Sequence, residues 1–142
     1  MTPEEMKAAL EKMNDDAWHT RDLDAAYQIY ADDVVFQRVP FPPVTGKAAN
    51  MEADAGTLAA FTDTRSTIDD LIVAGDTGVI RWTWEGTNSG PSSALGIPAT
   101  GKRVRFAGCS VYRFRDGKIA QQWEYGDLLS LLQQLEVIPS LG

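Results

Sequence analysis

Cysteine is almost missing from this sequence: Cys109 stands alone among 142 residues. A single cysteine excludes an internal disulfide. With one histidine beside it, His19, a zinc site built from nitrogen and sulfur ligands is almost excluded too, and no metal is expected. No apolar run approaches the ~20 residues needed to cross a bilayer, so no membrane association is expected. The N-terminus MTPEEMK is acidic and lacks an apolar core, so it does not read as a signal peptide. These absences together point to a reducing, cytoplasmic setting. Bases are also scarce, 13 against 20 acids for a net charge of −7, which argues against binding nucleic acid. Repeats, low-complexity tracts and linkers are absent, and the chain reads as a single domain over 1–142.

What is present is globular in character. Hydrophobic residues make up 44% and charged residues 23%, enough for a core and too apolar for a disordered chain. Charge is uneven. Residues 1–33 hold nine acids against three bases, whereas 101–118 hold six bases against Asp116 alone. Two solvated faces account for this, or an acidic helix face meeting a basic sheet.

The chain opens with a helix signal: Thr2 as N-cap, Pro3 at the first helical position and Glu5 completing a capping box. Met6, Ala9, Leu10, Met13 and Ala17 follow at helical spacing. A second helix is expected from Asp22, with Leu23, Ala26, Tyr27 and Tyr30 as its stripe and Asp32 and Asp33 at its end. Val34-Val35-Phe36 reads as a strand. Pro40, Pro42 and Pro43 forbid regular structure, and Lys47 to Phe61 reads as a third helix. Strands are expected over Arg65–Ala74, Val79–Thr87, Arg103–Arg115 and Lys118–Tyr125, the last two joined by an Asp116-Gly117 hairpin turn. Leu128, Leu131, Leu132 and Leu135 mark a final helix. Helices segregated from a meander of strands define an α+β fold.

Alternation sorts the strand side chains by parity. Ile80, Trp82 and Trp84 share one face, as do Val104, Phe106, Ser110, Tyr112 and Phe114. Charged residues fill the opposite faces, so these even sets face inward. In the last strand the more apolar parity is Ile119, Gln121, Trp123 and Tyr125, which predicts that Trp123, Tyr125 and the following Asp127 face inward as well. Gly86, Gly108 and Ser110 leave gaps among these aromatics. Two outcomes fit: a plain packed core, or a partly hollow cavity lined by aromatic rings. Trp18, Tyr30 and Phe36 would then close the cavity from the first helices and strand.

The run FTDTRSTIDDLIVAGD at 61–76, followed by Val79–Thr83, resembles the strand hairpin of SnoaL-like polyketide cyclases. So do Gly96–Lys102, Tyr112–Ile119, Trp123–Asp127 and Leu131–Leu135, and the similarity runs over roughly 22–139. It implies a nuclear-transport-factor-2-like fold: a cone-shaped, curved antiparallel sheet packed by N-terminal helices, often dimeric through the sheet's outer face. It implies ester-cyclase chemistry, the ring closure of a polyaromatic ester by intramolecular aldol condensation without metal or organic cofactor. It also implies an aspartate acid/base at Asp127. Gln37 and Arg38 stand where the first strand of the family often carries a histidine.

An aldol closure needs a carbon acid deprotonated and a carbonyl oxygen protonated, and one carboxyl of raised pKa can shuttle the proton. Asp127 is the candidate catalytic residue. It also immediately precedes the last helix and suits its N-cap, a role that favours the charged form. The candidate substrate-binding residues are Trp18, Tyr30, Phe36, Trp82, Trp84, Phe106, Ser110, Tyr112, Trp123 and Tyr125. His19 reads as an exposed helix-end residue and Cys109 as a packing residue at a subunit interface. The long connection 88–100 is expected to form a lid, with Leu95 and Ile97 as its apolar tip. The functional expectation is a cyclase or isomerase acting on a flat apolar molecule; the alternatives are a non-catalytic binding protein of the same fold or a purely structural dimer module.

Overall fold

The computed structural model describes residues 1–140. Helix α1 (Pro3–Trp18) begins at the expected capping box: the Glu5 amide donates to the Thr2 hydroxyl at 3.1 Å, and the Thr2 amide donates to the Glu5 carboxylate at 2.9 Å. Its stripe of Met6, Leu10, Met13 and Ala17 is buried. Helix α2 (Leu23–Ala26) is far shorter than its apolar spacing suggests. One 3-10 turn over Tyr27–Ile29 ends it, and strand β1 (Tyr30–Val39) starts at once. Tyr30 therefore opens a strand, and Asp32 and Asp33 lie within β1 rather than at a helix end. Sheet pairing outweighs local helical spacing here, because the backbone of Tyr30 already pairs with Ile119 across the sheet.

The remaining elements are β2 (Val44–Thr45), α3 (Lys47–Ala60), β3 (Thr62–Ala74), β4 (Thr77–Thr87), β5 (Arg103–Arg115), β6 (Lys118–Gly126) and α4 (Leu128–Gln134). The strand order β2-β1-β6-β5-β4-β3 contains the expected meander from β3 to β6, with β1 added beside β6 in parallel and β2 as a short antiparallel edge. The sheet is curved and unclosed, and residues of α1, α3 and α4 share a cavity with its inward-facing side chains. This is an α+β fold of the nuclear-transport-factor-2-like kind, with one parallel pair in an otherwise antiparallel sheet. The turn between β5 and β6 uses Asp116 and Gly117, both at positive φ (52° and 74°), as a tight two-residue hairpin requires.

Parity in β4 and β5 holds along both strands. Ile80, Trp82 and Trp84 are buried, as are Val104, Ser110, Tyr112 and Phe114. In β6 it inverts. Phe114 pairs with Ile119, but its neighbour Arg113 pairs with Gln121, so Ala120 is an extra residue opposite a single step of β5. Ile119 and Ala120 are both buried, as adjacent residues at a bulge can be. Beyond the bulge Gln122, Glu124 and Gly126 turn inward, opposite Tyr112, Ser110 and Gly108. Trp123 and Tyr125 turn outward, which corrects the expectation for both, and Tyr125 is 52% exposed.

Candidate active site

The sheet and helices do not pack solid. They enclose a cavity of about 560 Å³, within the ~300–1,000 Å³ range of sites for drug-sized ligands. Gly108 sets the position of one cavity wall. A Cβ there would lie 2.3 Å from Trp82 Cζ2, so glycine lets the indole lie flat across β5. Trp82, Trp84 and Phe106 form an aromatic wall, with Trp84 and Phe106 centroids 5.6 Å apart. Trp18 meets Trp84 edge to face at 5.7 Å. Trp18, Tyr30, Phe36, Trp82, Trp84, Phe106, Ser110 and Tyr112 all line the cavity where the sequence placed them. Trp123 and Tyr125 do not, for the bulge turns them away.

Asp127 is not brought to the cavity either. It is exposed, and its carboxylate accepts from the Ser130 amide at 3.0 Å, capping α4. His19 is exposed as well, at the end of α1. The Ser66 amide donates to its Nε2 at 3.1 Å, so Nδ1 carries the proton and faces Asp15 Oδ1 at 2.7 Å. Among the described residues no group of three or more His, Cys, Asp or Glu side chains could hold a metal ion.

The cavity's ionisable groups are ones that parity and periodicity did not mark. Asp54, on α3, is buried and accepts from the Tyr27 hydroxyl at 2.5 Å and from the Arg38 guanidinium. Arg38 leaves β1 over the Phe36 ring, 3.8 Å from its centroid. Burial would lower the Arg38 pKa, but Asp54 and then Glu124 outweigh it, and the guanidinium stays charged. Burial raises the Tyr27 pKa, and Asp54 raises it further, so its hydroxyl remains a donor.

Glu124 stands apart from this pair. Its carboxyl lines the cavity and has no hydrogen-bond partner among the described residues. Burial raises its pKa above the ordinary 4.5; Arg38 opposes that rise and Asp54 adds to it. Ser110 and Tyr112 lie beside it on β5, with Ser110 accepting from the Trp82 indole at 2.9 Å. Burial, and next Glu124, push the Tyr112 pKa upward. On the other side of Glu124, Gln122 accepts from the Tyr30 hydroxyl at 2.6 Å.

The loop 88–100 borders the cavity through Ser92–Leu95. Asn88, fully buried, holds both its ends: its amide donates to Ala60 O (3.1 Å) and Gly90 O (2.8 Å), and its carbonyl accepts from the Thr100 amide (2.9 Å). Between them Ser92 and Ile97 bridge each other, and Leu95 lines the cavity. Ile97 packs against the core rather than the opening. Phe41, half exposed after the proline-rich turn, lines the cavity too.

A family model of SnoaL-like polyketide cyclases matches residues 8–135. The chain belongs to that family. Solved structures share its fold. AclR, a candidate hydroxylase from Streptomyces galilaeus, shares 26% identity at a TM-score of 0.86, over 99% of this chain and 87% of that one. TsrD from Streptomyces laurentii shares 27% identity at a TM-score of 0.86, over 97% and 99%. A candidate SnoaL-like polyketide cyclase from Jannaschia sp. CCS1 has the same fold, with 19% identity at a TM-score of 0.87 over 98% of both chains. No curated protein is similar enough in sequence to count as a match. The SnoaL-like family and these neighbours support a small-molecule enzyme-like fold.

Proposed function

We propose that this SnoaL-like protein is an enzyme in which Glu124, rather than Asp127, is the general acid/base. The reaction is an intramolecular aldol-type ring closure or an isomerisation on a flat, apolar carbonyl compound. The observation that carries this reading is the Glu124 carboxyl on the cavity wall, without a hydrogen-bond partner among the described residues and with its pKa raised by burial. Such a group is a stronger base once ionised and a ready acid once protonated, as a two-way proton shuttle requires.

The steps balance without any other reagent. Glu124 takes a proton from the carbon beside a carbonyl, and the electron pair moves onto that carbonyl oxygen. The enolate carbon then forms a bond to a second carbonyl carbon of the same molecule. The alkoxide so made takes the proton back from Glu124. The aromatic wall orients the rings and keeps water away, and holding both reacting centres together removes much of the entropic barrier. Trp18, Trp84 and Phe106 offer ring faces and edges for that contact.

A non-catalytic binding protein is the second reading, and one observation favours it: Asp127 is occupied with a helix amide. One experiment separates the two. 2-Tetralone, a flat ketone with acidic α-hydrogens, is incubated with the protein in D₂O and its exchange followed by NMR. The wild type accelerates exchange, Glu124→Gln loses roughly 10²- to 10⁴-fold of that acceleration, and Asp127→Asn, which can still cap, keeps it. Equal exchange by wild type and Glu124→Gln would leave the binding protein as the better reading.

A further inference from the structure

Among the described residues, the inward groups of β6 include one donor as well as one acid without a hydrogen-bond partner. Gln122 is buried and its carbonyl oxygen accepts from the Tyr30 hydroxyl at 2.6 Å. That bond fixes the amide plane with Nε2 on the other side. Nε2 has no hydrogen-bond partner among the described residues and is not sealed from solvent. Since Gln122 lines the cavity, its NH₂ opens into that space. Glu124 follows two residues later on the same face, so the two side chains emerge roughly 6.5–7 Å apart along the strand.

We propose that Gln122 is a second catalytic residue, whose Nε2–H donates to the substrate carbonyl oxygen while Glu124 removes the adjacent C–H proton. The inference rests on the proposed role of Glu124 and names the chemistry its partner must supply. A carbonyl oxygen and its α-carbon are separated by one atom, so a donor on one side and a base on the other must stand apart by about this strand spacing. When the C–H bond breaks, its electron pair moves to the oxygen, and the amide hydrogen bond strengthens as that charge develops. Tyr30 is a positioning residue: it acts through Gln122 by holding the amide so that nitrogen, not oxygen, meets the substrate. The ligand class is therefore an enolisable ketone or ester, neutral on entry and anionic at its oxygen during reaction.

4-Nitrophenol tests this, because its phenolate resembles an enolate and absorbs distinctly from the neutral form. Binding is read in the Glu124→Gln background, where the carboxylate beside Gln122 no longer repels the anion, so the result is independent of whether Glu124 turns substrate over. Glu124→Gln is expected to bind the phenolate and lower the apparent pKa of the bound phenol. Adding Gln122→Leu is expected to weaken phenolate binding roughly 10- to 100-fold, the worth of one hydrogen bond to a charged group, while affinity for neutral naphthalene is kept. Adding Tyr30→Phe instead is expected to give an intermediate loss with the fold intact, which covers the case of a poorly folded Gln122→Leu. No phenolate binding in Glu124→Gln, or equal binding with and without Tyr30→Phe and Gln122→Leu, would overturn the proposal. Failure of the Glu124 reading would show instead in the exchange assay with binding intact.

Discussion

Replacing Asp54 by alanine tests the polar clasp of the cavity most sharply. Asp54 binds α3 to β1 through Arg38 and to the 3-10 turn through Tyr27. Its side chain is 9% exposed and that of Arg38 25%. Removing one partner of a buried ion pair costs ~3–5 kcal/mol, because the other charge is left without compensation. Arg38 also borders the cavity, where water can enter, so the lower end applies, about 3 kcal/mol. For a chain of this size that is a fall in Tm of roughly 8–12 °C, read by circular dichroism at 222 nm. The double variant Arg38→Met/Asp54→Leu removes both charges and is expected to recover much of the loss. The exchange reaction supplies a second signature. Asp54 raises the Glu124 pKa and Arg38 lowers it, so in Asp54→Asn the acid limb of the pH–rate profile moves to lower pH. A loss under ~1 kcal/mol in Asp54→Ala, with no displacement of that limb in Asp54→Asn, would refute the clasp.

Glu124→Gln is expected to be more stable than the wild type at neutral pH. A carboxyl whose folded pKa lies above its unfolded value binds its proton more tightly when folded, so its contribution is full below about 4.5 and is lost as pH rises through the folded value. The stability gap should vanish near pH 4 and open upward; a gap of the opposite sign in thermal melts contradicts the burial of Glu124. Gly108→Ala places a Cβ 2.3 Å from Trp82 Cζ2 and 2.7 Å from the Tyr125 carbonyl, and this overpacking is expected to destabilise by ~1–3 kcal/mol or more in urea unfolding. An unchanged midpoint would show that the indole is free to move aside. Asp127→Ala should lower stability by ~1 kcal/mol through loss of its cap, and Asp127→Asn by much less; equal losses in the two would refute the capping role.

Much of the cavity was legible because β4 and β5 keep strict alternation over long runs. Trp82, Trp84, Phe106, Ser110 and Tyr112 follow from counting by two. The inward position of Glu124 was missed because counting by two cannot survive one inserted residue, and Ala120 inverts every position after it. A signal was present: Ile119 and Ala120 are adjacent apolar residues between Lys118 and Gln121, where a regular half-buried strand would alternate. The Arg38–Asp54 pair was illegible for a different reason. Its partners lie on separate elements, joined through a proline-rich turn and a two-residue strand, and no periodicity connects them. The early end of α2 was hidden likewise, since the pairing of Tyr30 with Ile119 spans most of the chain.

The most direct measurement is a ¹³C NMR titration of the Glu124 carboxyl in protein labelled at glutamate, assigned by its loss in Glu124→Gln. Titration above 4.5 is expected, with a resonance that moves when 2-tetralone fills the cavity. Titration near 4.5, indifferent to the ketone, would mean that this side chain faces water and that the site described here is not where proton transfer occurs.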